Sequence, residues 1–281
     1  MAAKHPPRPD PANHPGDRIA KVIARSGMCS RRDAERWIEA GRVRVNGTVL
    51  TSPAFNVTEQ DEIAIDRKPL PAAEAPKLWR YHKPAGLITS HKDPEGRPSV
   101  FDKMPAEMPR VISVGRLDIT SEGLLLLTND GDLARVLELP STGWLRRYRV
   151  RAHGRIDQAA LDKLKNGIEI DGIKYGAIEA GIERVQGGNI WITVALREGK
   201  NREVRRVLES LNLQVNRLIR TSYGPFQLGD LARGAVAQVA DKMLRDQMGG
   251  RLPAIATKGP NKKLTRAPNK AKKNAHRRRK P

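Results

Sequence analysis

The chain has 281 residues, a charged fraction of 30% and a formal net charge of +21, a length with room for one large domain or for a small domain and a medium one. Its one cysteine excludes an internal disulfide framework and fits a reducing compartment. No apolar run approaches the ~20 residues that span a bilayer, so no membrane association and a cytoplasmic location are expected. Eleven Lys or Arg lie between 258 and 281 with no Asp or Glu among them, leaving +10 on residues 1–257. The body is basic without its tail, which points to a polyanionic partner, RNA or DNA.

Residues 1–15 hold five prolines and no periodicity and are expected to be disordered. Asp17 is a candidate cap for a helix running to about Ser26, with Ile19, Val22 and Ile23 on its apolar face and Arg18, Lys21 and Arg25 at helical spacing beside it. Gly27 stops that helix. Ser30-Arg31-Arg32-Asp33 reads as a capping box opening a second helix that ends at Gly41. Arg31 and Arg32 fall in its first turn, where the helix dipole disfavours cations, so a phosphate ligand explains them better than helix stability does. Cys29 reads as a small buried apolar residue. From Arg42 to Val49 the sequence alternates and turns on Asn46-Gly47, a hairpin signal that carries Arg44. A further short strand is expected from Asp61 to Ile65.

Residues 67–76, rich in Pro and Ala, read as a linker. Strand signals follow at Leu78–His82, Val111–Val114, Leu124–Leu127, Arg147–Arg151, Ile190–Leu196 and Leu213–Ile219, with helical patterns at Gly131–Glu138, Gln158–Lys165 and Asn201–Leu211. This distribution predicts an α+β fold. A small N-terminal module of two helices and a basic sheet would span 16–66. A larger domain on a mainly antiparallel sheet with flanking helices would span 77–248. The tail from 249 onward is expected to be disordered, with any role electrostatic.

The stretch from Ser113 to Gly131 stands out. Four consecutive leucines, Leu124 to Leu127, between Gly123 and the turn residues Asn129-Asp130-Gly131 read as a fully buried strand. Asp118 then sits on the connection from the preceding strand, next to Arg116, a common way to present one carboxylate. Three further segments accompany it: Tyr81-His82-Lys83-Pro84-Ala85-Gly86, Arg147-Tyr148-Arg149-Val150, and Glu198-Gly199-Lys200-Asn201-Arg202-Glu203-Val204-Arg205-Arg206. Lys83 and Pro84 read as a strand terminator. The six histidines form no ligand-spaced pair with cysteine or carboxylates, so no metal site is expected.

Residues 17–66 resemble the S-four-type RNA-binding module, chiefly through Ser30 to Ala34 and Gly41 to Gly47. Residues 77–239, with Gly115-Arg116-Leu117-Asp118, Gly199-Lys200-Asn201-Arg202 and Gly224-Pro225-Phe226, resemble the RsuA/RluB family of ribosomal-RNA pseudouridine synthases. The resemblance implies that Asp118 is the indispensable aspartate. It implies that Tyr148 packs against the target base, and that Arg205 is the arginine pairing with the aspartate. Leu218 or Ile219 would line the pocket. Pro140 to Arg146 departs from the more usual charged approach to the tyrosine.

The residues suit that chemistry. A base to be modified must leave its stack, and an aromatic ring offers it ~1–3 kcal/mol of stacking. A carboxylate can attack C1′ or assist elimination from C2′; both routes remain open. An adjacent arginine would keep it ionised. An isomerisation needs no cofactor. Arg18, Lys21, Arg25, Arg31, Arg32, Arg44, Arg116, Lys200 and Arg202 are the candidate RNA contacts. Ribosomal RNA or a ribosomal assembly intermediate is the expected partner, closer to the large-subunit RluB branch, with the protein a monomer. The competing reading is a non-catalytic RNA-binding or ribosome-assembly factor on the same folds.

Overall fold

The computed structural model describes residues 16–249; of the segments expected to be disordered, 1–15 and, beyond Gly249, the tail lie outside them. The N-terminal part comprises β1 (Asp17–Arg18), α1 (Ile19–Arg25), α2 (Arg31–Glu39), β2 (Val43–Val45), β3 (Thr48–Val49), β4 (Asn56–Val57), β5 (Ile63–Ile65) and β6 (Lys68–Pro69). β1 pairs with β4, and the other four strands form a sheet in the order β3-β2-β5-β6. Ile19, Ile23, Ala34 and Ile38 of the helices close over Val43, Val45, Val57 and Ile65 as a core of their own, Cys29 buried among them.

Local chemistry explains these elements. The capping box forms as expected: Ser30 Oγ accepts the Asp33 N–H at 3.1 Å, and the Asp33 carboxylate accepts the Ser30 N–H at 3.3 Å. Asn46 and Gly47 both take positive φ, 49° and 81°, the backbone a two-residue hairpin turn demands. Asp17 does not cap α1. It lies in β1, the Ile19 N–H donates instead to the Phe55 carbonyl at 2.9 Å, and the Asp17 carboxylate accepts from Lys21 Nζ at 2.9 Å. The stretch read as linker starts with a strand, since Lys68–Pro69 pairs with Ala64–Ile65.

The larger part continues with β7 (Leu78–Lys83), β8 (Ile112–Val114), β9 (Ser121–Thr128), α3 (Gly131–Glu138), β10 (Arg146–His153), α4 (Gln158–Asp162), β11 (Ile168–Ile170), β12 (Ile173–Tyr175), β13 (Ile178–Gln186), β14 (Asn189–Leu196), α5 (Glu203–Ser210), β15 (Gln214–Tyr223), β16 (Phe226–Gln227), β17 (Val236–Gln238) and α6 (Asp241–Met248). Nine strands form one sheet along β13-β14-β10-β15-β9-β7-β17, with β16 beside β15 and β8 beside β9. Its pairings are antiparallel except β15 with β9, which is parallel. The α+β expectation with a mainly antiparallel sheet holds.

β9 is the centre of this body. All eight of its residues are buried, because the strand has a core on each side. Leu124 and Leu126 pack with Leu133 and Leu137 of α3 and with Phe226. Leu125 and Leu127 point the other way, onto Trp79, Tyr81, Val100 and Leu117. The period of two therefore turns a run of four leucines into two buried pairs. Gly123 lies inside β9, not at its edge as the sequence suggested, with φ +101°. A Cβ there would stand 2.3 Å from the Arg220 carbonyl oxygen, so only glycine lets the parallel strand close in.

Two stability predictions follow. Leu125→Ala should cost about 2–5 kcal/mol, the range for emptying a buried leucine site. Gly123→Ala should cost at least ~1–2 kcal/mol for its positive φ, and more for displacing β15. Urea denaturation measures both, and a Gly123→Ala change within ~0.5 kcal/mol of zero, as at an ordinary surface site, would contradict the close approach.

Candidate active site

Residues 115–120 form the loop from β8 to β9, with Asp118 half-buried on it. Leu117, 7% exposed, anchors the loop in the core under β9. Every backbone carbonyl from Leu117 to Ser121 accepts a hydrogen bond. Thr89 Oγ1 donates to Leu117 O at 2.9 Å and the Ser121 N–H to Asp118 O at 3.0 Å. The Gly86 N–H donates to Ile119 O at 2.7 Å, and Arg205 Nη2 to Thr120 O at 3.2 Å. Lys83 Nζ reaches Asp118 O at 3.1 Å, Ser121 O at 2.9 Å and Pro84 O at 3.0 Å.

Lys83 is wholly buried. Burial pulls its ammonium down to about 8, with the charges of Asp118 and Glu122 opposing. Its position at the end of β7 looked like a strand terminator; the structure makes it the centre of a carbonyl cage. Glu122, the next buried acid along β9, is held by Arg217 at 2.9 and 3.0 Å and by Arg233 at 2.9 Å. Burial raises its carboxyl, but the Arg217 hydrogen bond and both guanidinium charges prevail and keep it below the ordinary carboxylate value.

The loop faces a cleft of about 270 Å³ whose walls include Arg116, Asp118, Tyr148, Lys200, Arg202, Glu203 and Leu218. Tyr148 stands on β10, opposite Val194 on β14 and Arg220 on β15, half-buried against the core that holds Leu218. Of the two aliphatic candidates, Leu218 lines the cleft, while Ile219 packs toward the core around α3. Arg205, on α5, is 6% exposed. It forms no ion pair with Asp118; its guanidinium donates to Val215 O at 3.1 Å and to Thr120 O. Burial and the neighbouring Arg202 lower its pKa, and the charge of Asp118 opposes them. Arg205 thus holds the carboxylate's loop and supplies positive potential, without a fork on the carboxylate itself.

Glu203 opens α5 and was not among the sequence candidates. Its Oε2 accepts the Lys200 N–H at 2.9 Å while its buried Oε1 has no partner, and burial pushes the carboxyl up to about 7. Arg146, also unforeseen, bridges the carbonyls of Arg197 and Glu198 to the Tyr223 hydroxyl, bracing the strand end below Tyr148.

The candidate RNA contacts divide. Lys21 and Arg25 are engaged across the boundary between the two parts: Lys21 Nζ lies 2.9 Å from Asp132, and Arg25 pairs with Asp132 and, at 3.4 Å, with Asp130. Their charges are matched within the protein. Lys200 pairs with Glu198 at 2.7 Å, and Arg44 donates to the Gly47 carbonyl. Arg18, Arg31, Arg32, Arg116 and Arg202 are exposed.

Residues 77–210 match the RNA pseudouridylate synthase family model, and residues 17–63 match the S4 domain. An uncharacterised RNA pseudouridine synthase of Rickettsia felis is 48% identical over 227 residues, 81% of this chain and 98% of its own length. The ribosomal large subunit pseudouridine synthase B of Pseudomonas aeruginosa is 39% identical over 262 residues, 88% of this chain and 67% of that protein. The chain belongs to the RNA pseudouridine synthase family. A crystal structure of a pseudouridylate synthase shares its fold, with a TM-score of 0.58 at 23% identity over 83% of this chain and all of the other. This synthase is therefore an isomerase with an N-terminal S4 domain. Among its described residues, no helix is long and apolar enough to cross a membrane.

The carbonyl cage predicts opposite pH responses for activity and stability. A neutral lysine loses one N–H donor and its charge, so kcat/KM should fall as pH rises through about 8. The folded pKa lies below the unfolded 10.5, so between these values the unfolded chain holds more protons. The contribution of Lys83 to folding stability should accordingly rise across that window. A pH–rate profile flat up to 10.5 would refute the role given to the ammonium.

Proposed function

We propose that the synthase converts one uridine of ribosomal RNA, in the large subunit, to pseudouridine, with Asp118 as the carboxylate at the sugar. The observation that carries this reading is Asp118 on a fully hydrogen-bonded loop, opening onto a cleft shared with Tyr148 and a rim of basic side chains. The large-subunit assignment is supported by relatives such as synthase B of Pseudomonas aeruginosa and of Yersinia pestis, the latter 39% identical over 219 residues.

The reaction breaks the C1′–N1 bond, turns the freed uracil and forms C1′–C5. The C5 hydrogen leaves as a proton and N1 gains one from solvent, so atoms and electrons balance within the nucleotide. The flipped base fits against the Tyr148 ring. Asp118 acts on the sugar, either as nucleophile at C1′ or as base toward C2′. Arg205 is a positioning residue, acting through the Thr120 carbonyl and through its charge beside the developing intermediate. Tyr148 or a water takes the C5 proton. The enzyme works as a monomer in the cytoplasm, on rRNA or an assembly intermediate, with residues 16–66 gripping RNA beside the target and 77–248 carrying the chemistry.

Release of tritium from C5-labelled uridine in ribosomal RNA is the direct test, since that hydrogen must leave. The native protein should release it from large-subunit RNA. Asp118→Asn should release none while binding the same RNA with similar affinity. Release by the Asn variant would remove Asp118 from the reaction, and release from small-subunit RNA alone would overturn the subunit assignment.

A further inference from the structure

Between the N-terminal part and the catalytic sheet lies a groove of about 590 Å³, larger than the cleft at Asp118. Its lining carries five basic side chains against two acidic ones. Lys21 and Arg25 are matched by Asp17, Asp130 and Asp132. Arg31, Arg110 and Arg135 form no ion pair or side-chain hydrogen bond with any described residue, and so present unmatched charge to the groove.

These arginines come from both walls. Arg31 stands at the start of α2, its guanidinium 3.4 Å from where a Cβ on Gly131 would lie. Arg110 precedes β8, close enough for its charge to act on Cys29 in the opposite part. Arg135 is exposed on α3. The walls are tied together at two places, by the Lys21 and Arg25 ion pairs to Asp130 and Asp132 and by Lys92 to Asp33 at 4.0 Å. The groove also adjoins the cleft at Asp118. Glu138 lines both cavities, and its carboxylate accepts the Gly115 N–H at 2.7 Å, three residues before Asp118.

We propose that this groove binds the sugar–phosphate backbone of the substrate RNA flanking the target uridine, through Arg31, Arg110 and Arg135. Three unmatched guanidinium groups on two braced walls suit a strand of phosphates leading into the cleft. The placement of Arg31 in a helix first turn, against the dipole, has the same explanation. The inference rests on the reading of the protein as an rRNA synthase and extends it, making the junction of the two parts an RNA-reading surface in its own right.

The test is the double variant Arg110→Gln/Arg135→Gln, both positions outside the core, titrated with a labelled large-subunit rRNA fragment over a range of salt. Loss of two phosphate contacts on a single strand should flatten the log Kd against log salt slope by about 1.4. It should also weaken binding about 25-fold at ~0.1 M salt. KM should rise far more than kcat falls, and the Arg110→Lys/Arg135→Lys variant should keep the native slope. Equal thermal melting of the variants separates contact loss from misfolding. A Gln variant with native Kd, slope and KM overturns the groove while leaving the synthase reading intact. Should the native enzyme release no tritium from any rRNA, the functional reading fails, and the salt slope still decides the groove.

Discussion

A buried ammonium inside a cage of backbone carbonyls is the constraint on which this enzyme's candidate active site depends. Lys83 ends β7, and its Nζ gathers the carbonyls of Pro84, Asp118 and Ser121 within 3.1 Å. A loop that turns between two buried strands exposes carbonyl oxygens that no ladder satisfies, and leaving them unpaired in the interior is costly. One lysine meets several of them at once, and the cost appears in its lowered pKa. In exchange, the loop that carries Asp118 is fixed by groups held inside the protein, the preorganisation that its proposed role at the sugar calls for.

The sheet supplies the second half of that precision. Asp118, Tyr148 and Arg205 are far apart in the chain and meet because β9 and β10 flank β15, with α5 leading into it. The parallel β15–β9 contact runs from Leu218 opposite Ser121 to Arg220 opposite Gly123, beside the loop's end. Gly123 makes that approach possible, and the alternating leucines hold β9 from both sides. This wholly buried strand begins at Ser121, directly after the Asp118–Thr120 turn, so the run of four leucines lies beside the candidate site.

Much of this was legible in the sequence because the signals are local. The capping box, the Asn-Gly hairpin and the buried leucine strand each need only a few neighbouring residues to declare themselves, whereas Asp118 stands out only beside the three accompanying segments and the family they resemble. What escaped was set by distant partners. β13 follows no clean alternation, since its second half is exposed and carries Glu183, Arg184 and Gln186. Asp17 had the chemistry of a cap, but the Phe55 carbonyl reached the helix first. Lys83 at a strand end is indistinguishable from a solvated lysine until the loop folds over it. Arg205 was expected on the carboxylate; the register of α5 instead delivers it to the carbonyl of Thr120. Glu203 lay unnoticed among basic neighbours, and only its burial singles it out.

The same distinction governs the positive charge, which composition could count but not sort. A cation held by a carboxylate is structural, and one left without a partner on a groove wall is available to phosphate. Lys21, Arg25, Arg149, Lys200 and Arg217 belong to the first class, each within an ion pair. Arg116 and Arg202 at the cleft, with Arg31, Arg110 and Arg135 at the junction, belong to the second. The unmatched arginines run from the S4 domain, past Glu138, to Asp118. A polyanion following them would cross the boundary between the two parts on its way to the carboxylate. On the proposed path, the ion pairs that brace that boundary would hold the strand in register with the cleft at Asp118.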